Sequence, residues 1–347
     1  MNFDKQYVLD VLTDILKTDS PSGFTHGVMQ KIETYAKELG FTFEMTEKGN
    51  GIIMVPGTDS SRTIGVSAHV DTLGAMVRSI KANGHLAFTR VGGPILPTLD
   101  SEQCTIYTRT NKTYSGTFFS TSPAIHVYND AATLERTEEN MEVILDEIVK
   151  TKEDTEKLEI ANGDYICIDP KTVITENGFI KSRFLDDKLS VAIIFGVLKY
   201  MHDQHIMPQY NVKVLISTFE EVGHGMAYIP NDISEVLAVD MGCIGKDLAC
   251  SEYDVSICAK DSSGPYDYAM TSKLIELAKA NDLQYAVDIY PSYSSDASAA
   301  LRGGNNIRAA LIGSGVFASH GYERSHYQGV ENSMKLLTLY LTQEDSI

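Results

Sequence analysis

The sequence is short of paired cysteines, positive charge and long apolar runs, and each shortage excludes a class of protein. Its 347 residues include five cysteines without a CxxC pair, which argues against a disulfide framework and a structural zinc ribbon. Lysine and arginine total 29, against 47 aspartates and glutamates. The formal charge of -18 repels phosphate backbones and anionic lipids, so we expect no nucleic acid or membrane partner.

The chain also lacks the segments that direct proteins into or across membranes. No basic stretch followed by an apolar one lies at the start of the sequence. No segment reaches the roughly 20 apolar residues that span a bilayer, so we expect a cytoplasmic protein. With 43% hydrophobic and 22% charged residues, the chain has an ordinary globular composition and is long enough for one large core and a smaller satellite domain.

The order of the predicted elements indicates an α/β body. Two amphipathic helices, at residues 5–18 and 26–39, precede the first strands, and strands and helices are interleaved in the second half of the chain. The segments 212–216 and 309–312 are predominantly apolar, which is typical of a largely parallel sheet buried on both faces. We therefore expect a three-layer α/β/α body.

A segment of different composition interrupts this body. Residues 73–172 contain short, half-polar strands separated by glycine and proline, a pattern typical of a small barrel or sandwich. Since candidate site residues occur on both sides of it, we expect residues 1–72 and 173–347 to form one domain and residues 73–172 an inserted one. Within the insertion we predict an exposed, charged helix at residues 141–150.

Histidine and acidic residues recur where short apolar runs end. Side chains alternate along a strand, so a histidine and an acid two residues apart share a face, and one can bind a metal while the other orients it. Ligand sites of open α/β sheets lie at the carboxyl ends of the strands. Together with a late histidine, four such clusters predict a two-metal hydrolase site. They are His69 with Asp71, Asp186 with Asp187, Glu220 with Glu221, and Asp240.

Each cluster alone has a simpler explanation. A histidine at the end of a strand is often a hydrogen-bonded structural residue. Asp186 and Asp187 could cap and charge the start of a helix, and Glu220 and Glu221 could be loop charge. The occurrence of all four in this order argues against the simpler explanations taken together, so we favour a metal site.

Five motifs, in a fixed order along the chain, carry a resemblance to a known family. They are AHVD at 68–71, FLDDK at 184–188, FEEVG at 219–223, VDM at 239–241 and ERSH at 323–326. The set resembles the motifs of the M42 family of dinuclear metallo-aminopeptidases, which includes the glutamyl aminopeptidases and the tetrahedral TET particles. The resemblance covers nearly the whole chain. It implies a zinc-peptidase fold and a metal-dependent aminopeptidase that acts on peptide substrates.

The resemblance also implies a ligand set for two divalent metal ions per subunit. A mixed set of imidazoles and carboxylates favours zinc, with cobalt or manganese as alternatives to it. The resemblance implies that one residue bridges both ions and that two further residues complete each site. The bridge is Asp186, with His69 and Asp240 on one ion and Glu221 and His326 on the other.

The resemblance also implies catalytic roles for two further acids. Glu220 is the general base, because a carboxylate that binds a metal is a poor proton acceptor and the adjacent free one is a good acceptor. Asp71 accepts the imidazole N–H of His69 and fixes its tautomer. The family usually has another acid after this segment, whereas this chain has Thr72, which removes no proposed ligand.

The last ligand is the least constrained, because residues 319–326 contain two histidines. We choose His326, since an arginine closely precedes it, as in the family, and a predicted helix beginning near Val330 would hold it. His320 is the alternative. It lies in a glycine-flanked segment that predicts a mobile loop, and ordering a mobile ligand costs entropy.

The resemblance further implies a homo-oligomer, up to a dodecamer, assembled through the inserted domain. Two other functions stay open. A dinuclear deacylase or amidase acting on a non-peptide N-acyl substrate would use the same metals and base, and its pocket alone would differ. A non-enzymatic, metal-stabilised scaffold would have no use for an unligated base, so Glu220 argues against it. Residues 290–296, a turn before a predicted helix, are a candidate for lining the substrate pocket.

Overall fold

The computed structural model describes residues 1–343 and contains seven α-helices in this range. The first follows the expected pattern, because the Asp4 side chain caps it at the N–H of Tyr7 and its apolar residues recur at helical spacing and are buried. Within residues 1–343, no helix has both the length and the apolar character needed to cross a bilayer. The helices are α1 (Lys5–Leu16), α2 (His26–Glu38), α3 (Lys152–Lys157), α4 (Leu185–Gln204), α5 (Tyr268–Ala280), α6 (Asp296–Arg302) and α7 (Tyr327–Thr342).

A ten-stranded mixed sheet forms the middle layer of the body. Strands are numbered along the chain, from β1 to β19. The four central strands run parallel in the order β12-β3-β13-β18, and antiparallel strands flank them on both sides. The ten strands are β1 (Thr42–Met45), β2 (Gly51–Val55), β3 (Asp59–His69), β12 (Tyr210–Ser217), β13 (Ile233–Val239), β14 (Gly242–Cys243), β15 (Val255–Asp261), β16 (Gly264–Pro265), β17 (Tyr285–Ile289) and β18 (Arg308–Val316).

Helices cover both faces of this sheet. Leu237 and Val239 of β13 belong to the large core that includes α1, α4 and α7. Val236 and Ala238 point to the opposite face, where they join separate apolar clusters with Ala300 and Ala297 of α6. The alternation along one strand supplies both interfaces, which is why residues 236–239 are continuously apolar. The expected three-layer α/β/α arrangement is confirmed.

The inserted segment contains a closed barrel of six strands, in the order β4-β5-β8-β7-β6-β9. The barrel-like fold expected of this segment is therefore confirmed. Its interior is apolar, and the rings of Phe88 and Phe118 meet edge to face there, with 5.0 Å between centroids. The strands are β4 (Gly74–Ile80), β5 (Leu86–Val91), β6 (Gln103–Tyr107), β7 (Thr113–Ser120), β8 (Met141–Leu145) and β9 (Tyr165–Ile168).

The helix predicted at residues 141–150 is wrong. Met141, Val143 and Leu145 are buried in alternation with more exposed neighbours, and they form strand β8 between β5 and β7. A period of two is the pattern of a strand. The short helix of this region is α3, which begins later, at Lys152.

A small three-stranded sheet brings the end of the chain to the entrance of α4. It has the order β10-β11-β19, formed by β10 (Val173–Ile174), β11 (Phe179–Ser182) and β19 (Glu323–His326). Strands β11 and β19 are antiparallel, with Ser182 opposite Glu323. Strand β11 ends three residues before α4 begins. Residues of the last tenth of the chain therefore lie beside the start of that helix. Two short 3₁₀ helices, Leu96–Leu99 and Glu220–Val222, complete the structure of residues 1–343.

Gly313 marks a close approach between β18 and the chain that follows β13. A Cβ atom added at Gly313 would lie 1.6 Å from the backbone carbonyl oxygen of Asp240. We expect Gly313→Ala to lower the free energy of unfolding by about 1–3 kcal/mol or more, the usual cost of overpacking. Denaturant unfolding measures it. Gly245→Ala is the control, because a Cβ at Gly245 meets no atom within 4 Å; equal stability of the two variants would contradict the prediction.

Candidate active site

The strand-end residues identified in the sequence meet at one end of the sheet. His69 is the last residue of β3, and Asp71 follows two residues later. Glu220 and Glu221 lie in the 3₁₀ helix after β12, and Asp240 follows β13 directly. Because β12, β3 and β13 are adjacent and parallel, their carboxyl ends lie side by side. The sheet thus delivers all three clusters to the same place.

The imidazole of His69 is buried among carboxylates. Its Nδ1 lies 3.0 Å from the backbone oxygen of Asp71 and 3.5 Å from that residue's Oδ1. A carbonyl can only accept, so Nδ1 carries a proton in this arrangement. Its Nε2 lies 3.2 Å from Oδ1 of Asp186 and 3.6 Å from Oε2 of Glu220. In the neutral ring, the Nε2 lone pair therefore faces carboxylate oxygens, which is an arrangement that a cation between them would stabilise.

Asp186 lies between two histidines. Its Oδ1 faces Nε2 of His69, and its Oδ2 lies 3.5 Å from Nε2 of His320. His320 Nε2 also lies 3.6 Å from Oε2 of Glu221. The geometry of Asp186 is that of a carboxylate able to contact two ions, with one histidine on each side. Asp187 accepts the backbone N–H of His69 through Oδ2 at 3.1 Å.

Potential ligand atoms form two overlapping groups. Within each group, all the ligand atoms lie within 4.8 Å of one another. The only member that they share is His69, and Glu220 belongs to neither. The groups are His69 with Asp186 and Glu221, and His69 with Asp187 and Asp240.

The choice of His326 as the last ligand is contradicted by the structure. Its Nε2–H donates to the backbone oxygen of Asn177 at 2.8 Å, and its Nδ1 accepts the N–H of Gln328 at the start of α7. Both ring nitrogens are therefore occupied, Nδ1 by the N-cap of α7 and Nε2 by the backbone of Asn177. Glu323 and Ser325 of β19 point inward, and the alternation of the strand turns His326 to the other face, against the rings of Phe179 and Tyr253.

His320 takes the place that was assigned to His326. Its ring lies beside Asp186 and Glu221, and the loop around it is held at several points. Nδ1 lies 3.0 Å from the backbone oxygen of Gly93, and its backbone N–H donates to Oε1 of Glu323 at 2.9 Å. Its carbonyl accepts the N–H of Ile95. The mobile loop expected from the flanking glycines is an anchored one, so the entropic argument against His320 fails.

The electrostatics of the cluster favour a bound cation. Burial, followed by the charge of Asp186, raises the pKa of Glu221 well above its usual range, and burial raises the pKa of Asp240 to about 7. Burial opposes protonation of His320, yet its hydrogen bond to Asp186 and the charge of Glu221 raise its pKa to about 10. Carboxylates are thus crowded together with too few positive charges among them.

Two carboxylate oxygens of the cluster are buried without a hydrogen-bond partner. They are Oε1 of Glu221 and Oδ1 of Asp187. A buried carboxylate oxygen without a partner is costly unless a cation compensates it. With the two imidazoles, the carboxylates of the cluster form the nitrogen and oxygen donor set that Zn²⁺, Co²⁺ and Mn²⁺ accept. The residues therefore fit a metal site.

Asp71 orders the turn that carries the two glutamates. Its Oδ1 accepts the N–H of Glu220 at 3.0 Å and its Oδ2 the N–H of Glu221 at 3.2 Å. The hydroxyl of Ser22 also donates to Oδ2. We expected this acid to act on His69 through its carboxylate, but its backbone oxygen is the nearer acceptor.

Both Ser22 and Glu323 were absent from the sequence-based site. The acid three residues after His320 was the signal available for Glu323.

The segment 290–296 leads into α6 and lies near the site. Asp296 is buried, and its carboxylate accepts the hydroxyl of Ser217 and, at 2.9 Å, the N–H of Met226. Burial, followed by the charge of Asp240, raises the pKa of Tyr293 well above its usual range. Tyr293 thus lies near a candidate ligand. That this segment lines a substrate pocket stays a prediction.

Removing each histidine in turn tests the corrected ligand set. We expect His320→Ala to lose one of two bound metal ions after dialysis, because the ion held with Glu221 loses its imidazole. His326→Ala should retain both ions, since its ring bonds are made outside the cluster. Elemental analysis of the two proteins measures the difference. Two ions in His320→Ala together with one in His326→Ala would restore the original assignment.

Known proteins resemble this chain over most of its length. A model of the M42 glutamyl aminopeptidase family matches residues 49–336. The "Putative aminopeptidase YhfE" of Bacillus subtilis strain 168 is 44% identical over 334 residues, which are 96% of this chain and 96% of that protein.

Solved structures show the same fold at low sequence identity. The TET aminopeptidase of the marine sediment archaeon Thaumarchaeota archaeon SCGC AB-539-E09 superposes with a TM-score of 0.88 at 17% identity, over 98% of both chains. The TET1 peptidase of Pyrococcus horikoshii, described as assembling into a tetrahedron or a large octahedral shell, gives 0.84 at 19% identity, over 97% of this chain and 100% of that one. Family match, sequence and fold agree: the chain belongs to the M42 family of metal-dependent aminopeptidases.

Proposed function

We propose that this M42 aminopeptidase removes N-terminal residues from peptides with two divalent metal ions held around Asp186 and with Glu220 as the general base. The observation that carries the proposal is the position of Asp186. One of its oxygens lies 3.2 Å from Nε2 of His69 and the other 3.5 Å from Nε2 of His320. A carboxylate shared in this way between two imidazoles is the arrangement that a pair of ions requires.

We keep the ligand assignment that the resemblance implies, with His320 in place of His326 because His320 lies beside Asp186 and Glu221. Zinc is the favoured metal, with cobalt or manganese as alternatives. When bound, the two ions would acidify a water molecule and stabilise the negative charge that develops on the attacked carbonyl oxygen. Asp186 would bridge them, with His69 and Asp240 completing one site and Glu221 and His320 the other.

Glu220 is the acid best placed to move the proton. It lies outside both groups of clustered ligand atoms, and its Oε2 is 3.6 Å from Nε2 of His69. Asp71 holds its backbone N–H, so the carboxylate is presented to the site from a fixed turn. As general base, Glu220 takes a proton from the attacking water and returns it to the leaving amine.

The substrate class separates this function from a related one. A deacylase or amidase with the same ligands would act on N-acylated compounds, whereas an aminopeptidase requires a free α-amino group. We expect the zinc-loaded protein to hydrolyse aminoacyl chromogenic substrates and to leave their N-acetylated forms intact. Faster hydrolysis of the N-acetylated forms would favour the deacylase. Absence of hydrolysis of either class by the two-metal protein would favour the scaffold.

The same assay tests the general base. Glu220→Gln keeps the shape of the side chain and removes its ability to accept a proton. We expect it to bind two ions and to lose activity by about 10²–10⁴-fold, the range for removing a general base. Glu221→Gln is the matched variant and should lose metal. Metal loss in Glu220→Gln with full occupancy in Glu221→Gln would show that the two roles are reversed.

The domain boundaries and the oligomer are also proposals. We infer that residues 73–172 form a separate inserted domain and assemble the subunits, in a protein of the cytoplasm. Three large apolar side chains of this segment, Ile125, Val127 and Ile148, are 65%, 72% and 95% exposed, and contacts between subunits would remove such side chains from water. The TET1 peptidase of Pyrococcus horikoshii, which has the same fold, forms large shells.

Light scattering tests the assembly. We expect a mass that is a multiple of the 38.2 kDa subunit, and smaller particles for the double variant Ile125→Asp with Val127→Asp, because charge at a buried contact is costly. Met207→Asp is the control, since Met207 is 48% exposed but lies on the α/β body. A single-subunit mass for the unchanged protein, at micromolar concentration with metal present, would refute the oligomer.

A further inference from the structure

Glu323 is a buried acid that holds two distant parts of the chain at once. Its Oε1 accepts the backbone N–H of His320 at 2.9 Å, and its Oε2 accepts the backbone N–H of Asp186 at 3.1 Å. The residue is 1% exposed. Asp186 is 137 residues away along the chain. One carboxylate therefore fixes the backbones of two residues that we propose as metal ligands.

The short strand β19 orients the Glu323 side chain toward the site. Glu323 begins β19, which pairs with β11 on one side and with Phe317 on the other. Alternation along the strand turns Glu323 and Ser325 inward and Arg324 outward. The strand is thus held on both sides. It fixes the position of the Glu323 carboxylate independently of the His320 loop and of the start of α4.

Ordinary structural roles for a buried acid do not account for Glu323. Buried carboxylates are usually paired with lysine or arginine, as Glu102 is with Arg183. The charges that act most strongly on Glu323 are those of Asp186 and His320. A buried carboxylate next to another acid is costly, and a cation held by Asp186 and His320 would offset this cost.

We propose that Glu323 is a positioning residue that sets the separation of Asp186 and His320 for the metal ion that both contact. The proposal rests on the function proposed above. His320 would otherwise depend on its loop and Asp186 on the first turn of α4, two segments that could shift independently. With both N–H groups bound to one carboxylate, the ligands are held in place before the ion arrives, so less ordering is needed when it binds.

The test is a metal titration of Glu323→Gln. The amide has the same shape, but its NH₂ group cannot accept, so one of the two N–H bonds is lost. We expect the affinity for one Co²⁺ ion to fall about 10–100-fold, the range for losing a residue that supports a ligand. The visible spectrum of that Co²⁺ ion should also change, because its coordination geometry relaxes. Chelated protein is titrated with Co²⁺ against a competing chelator.

Two further variants make the result decisive. Glu252→Gln is the matched control, because Glu252 accepts from Nε of the neighbouring Arg324 at 3.0 Å outside the site, and it should bind Co²⁺ as the unchanged protein does. Glu323→Asp keeps the charge but is one methylene too short to reach both N–H groups, so it should also lose affinity. It replaces Glu323→Gln if that variant fails to fold.

The outcomes separate this role from a merely structural one. A Glu323 variant with a lower melting temperature but unchanged Co²⁺ affinity and spectrum would overturn the proposal. The titration needs no turnover, so it is independent of the proposed activity. If the unchanged protein binds two ions but cleaves no aminoacyl substrate, the proposed function fails, while loss of affinity in Glu323→Gln still supports the positioning role.

Discussion

The crowding of carboxylates at the carboxyl ends of three parallel strands is the constraint on which the rest of the structure depends. The register of β12, β3 and β13 places the ends of these three strands side by side. The segment that follows each strand carries an acid. Like charges repel strongly in a buried site. The two imidazoles do not supply enough positive charge to offset them, so a cation bound here would stabilise the fold as well as serve the proposed chemistry.

Before any ion is bound, backbone N–H groups hold the acids in place. Asp71 accepts two of them from the turn of Glu220 and Glu221, Asp187 accepts one from His69, and Glu323 accepts two from the ligand residues on its flanks. Hydrogen bonds to a carboxylate are stronger than neutral ones. The supporting acids therefore use their oxygens to fix the backbone around the acids that we propose as ligands.

Those parts of the site that depend on local rules could be predicted from the sequence, and those that depend on distant pairing could not. His69 and Glu221 follow apolar strands, so strand periodicity and chain order were enough. Which side chains of β19 face the site depends on the pairing of β19 with β11, about 140 residues earlier. No local pattern shows that His326 points away from the site. Strand β8 is a different case, because the alternation of Met141, Val143 and Leu145 is a local signal and the charged residues around it favoured the prediction of an exposed helix.

The inserted barrel is tied to the catalytic turn by the segment that precedes α2. Tyr165 of β9 donates its hydroxyl to the backbone oxygen of Ser22 at 3.2 Å, and the hydroxyl of Ser22 donates to Asp71. Asp71 holds the N–H of Glu220. The chain also enters the barrel at Gly74, directly after this acid. A displacement of the barrel against the body would therefore strain the bonds that aim Glu220, so the insertion is part of the framework that positions the proposed base.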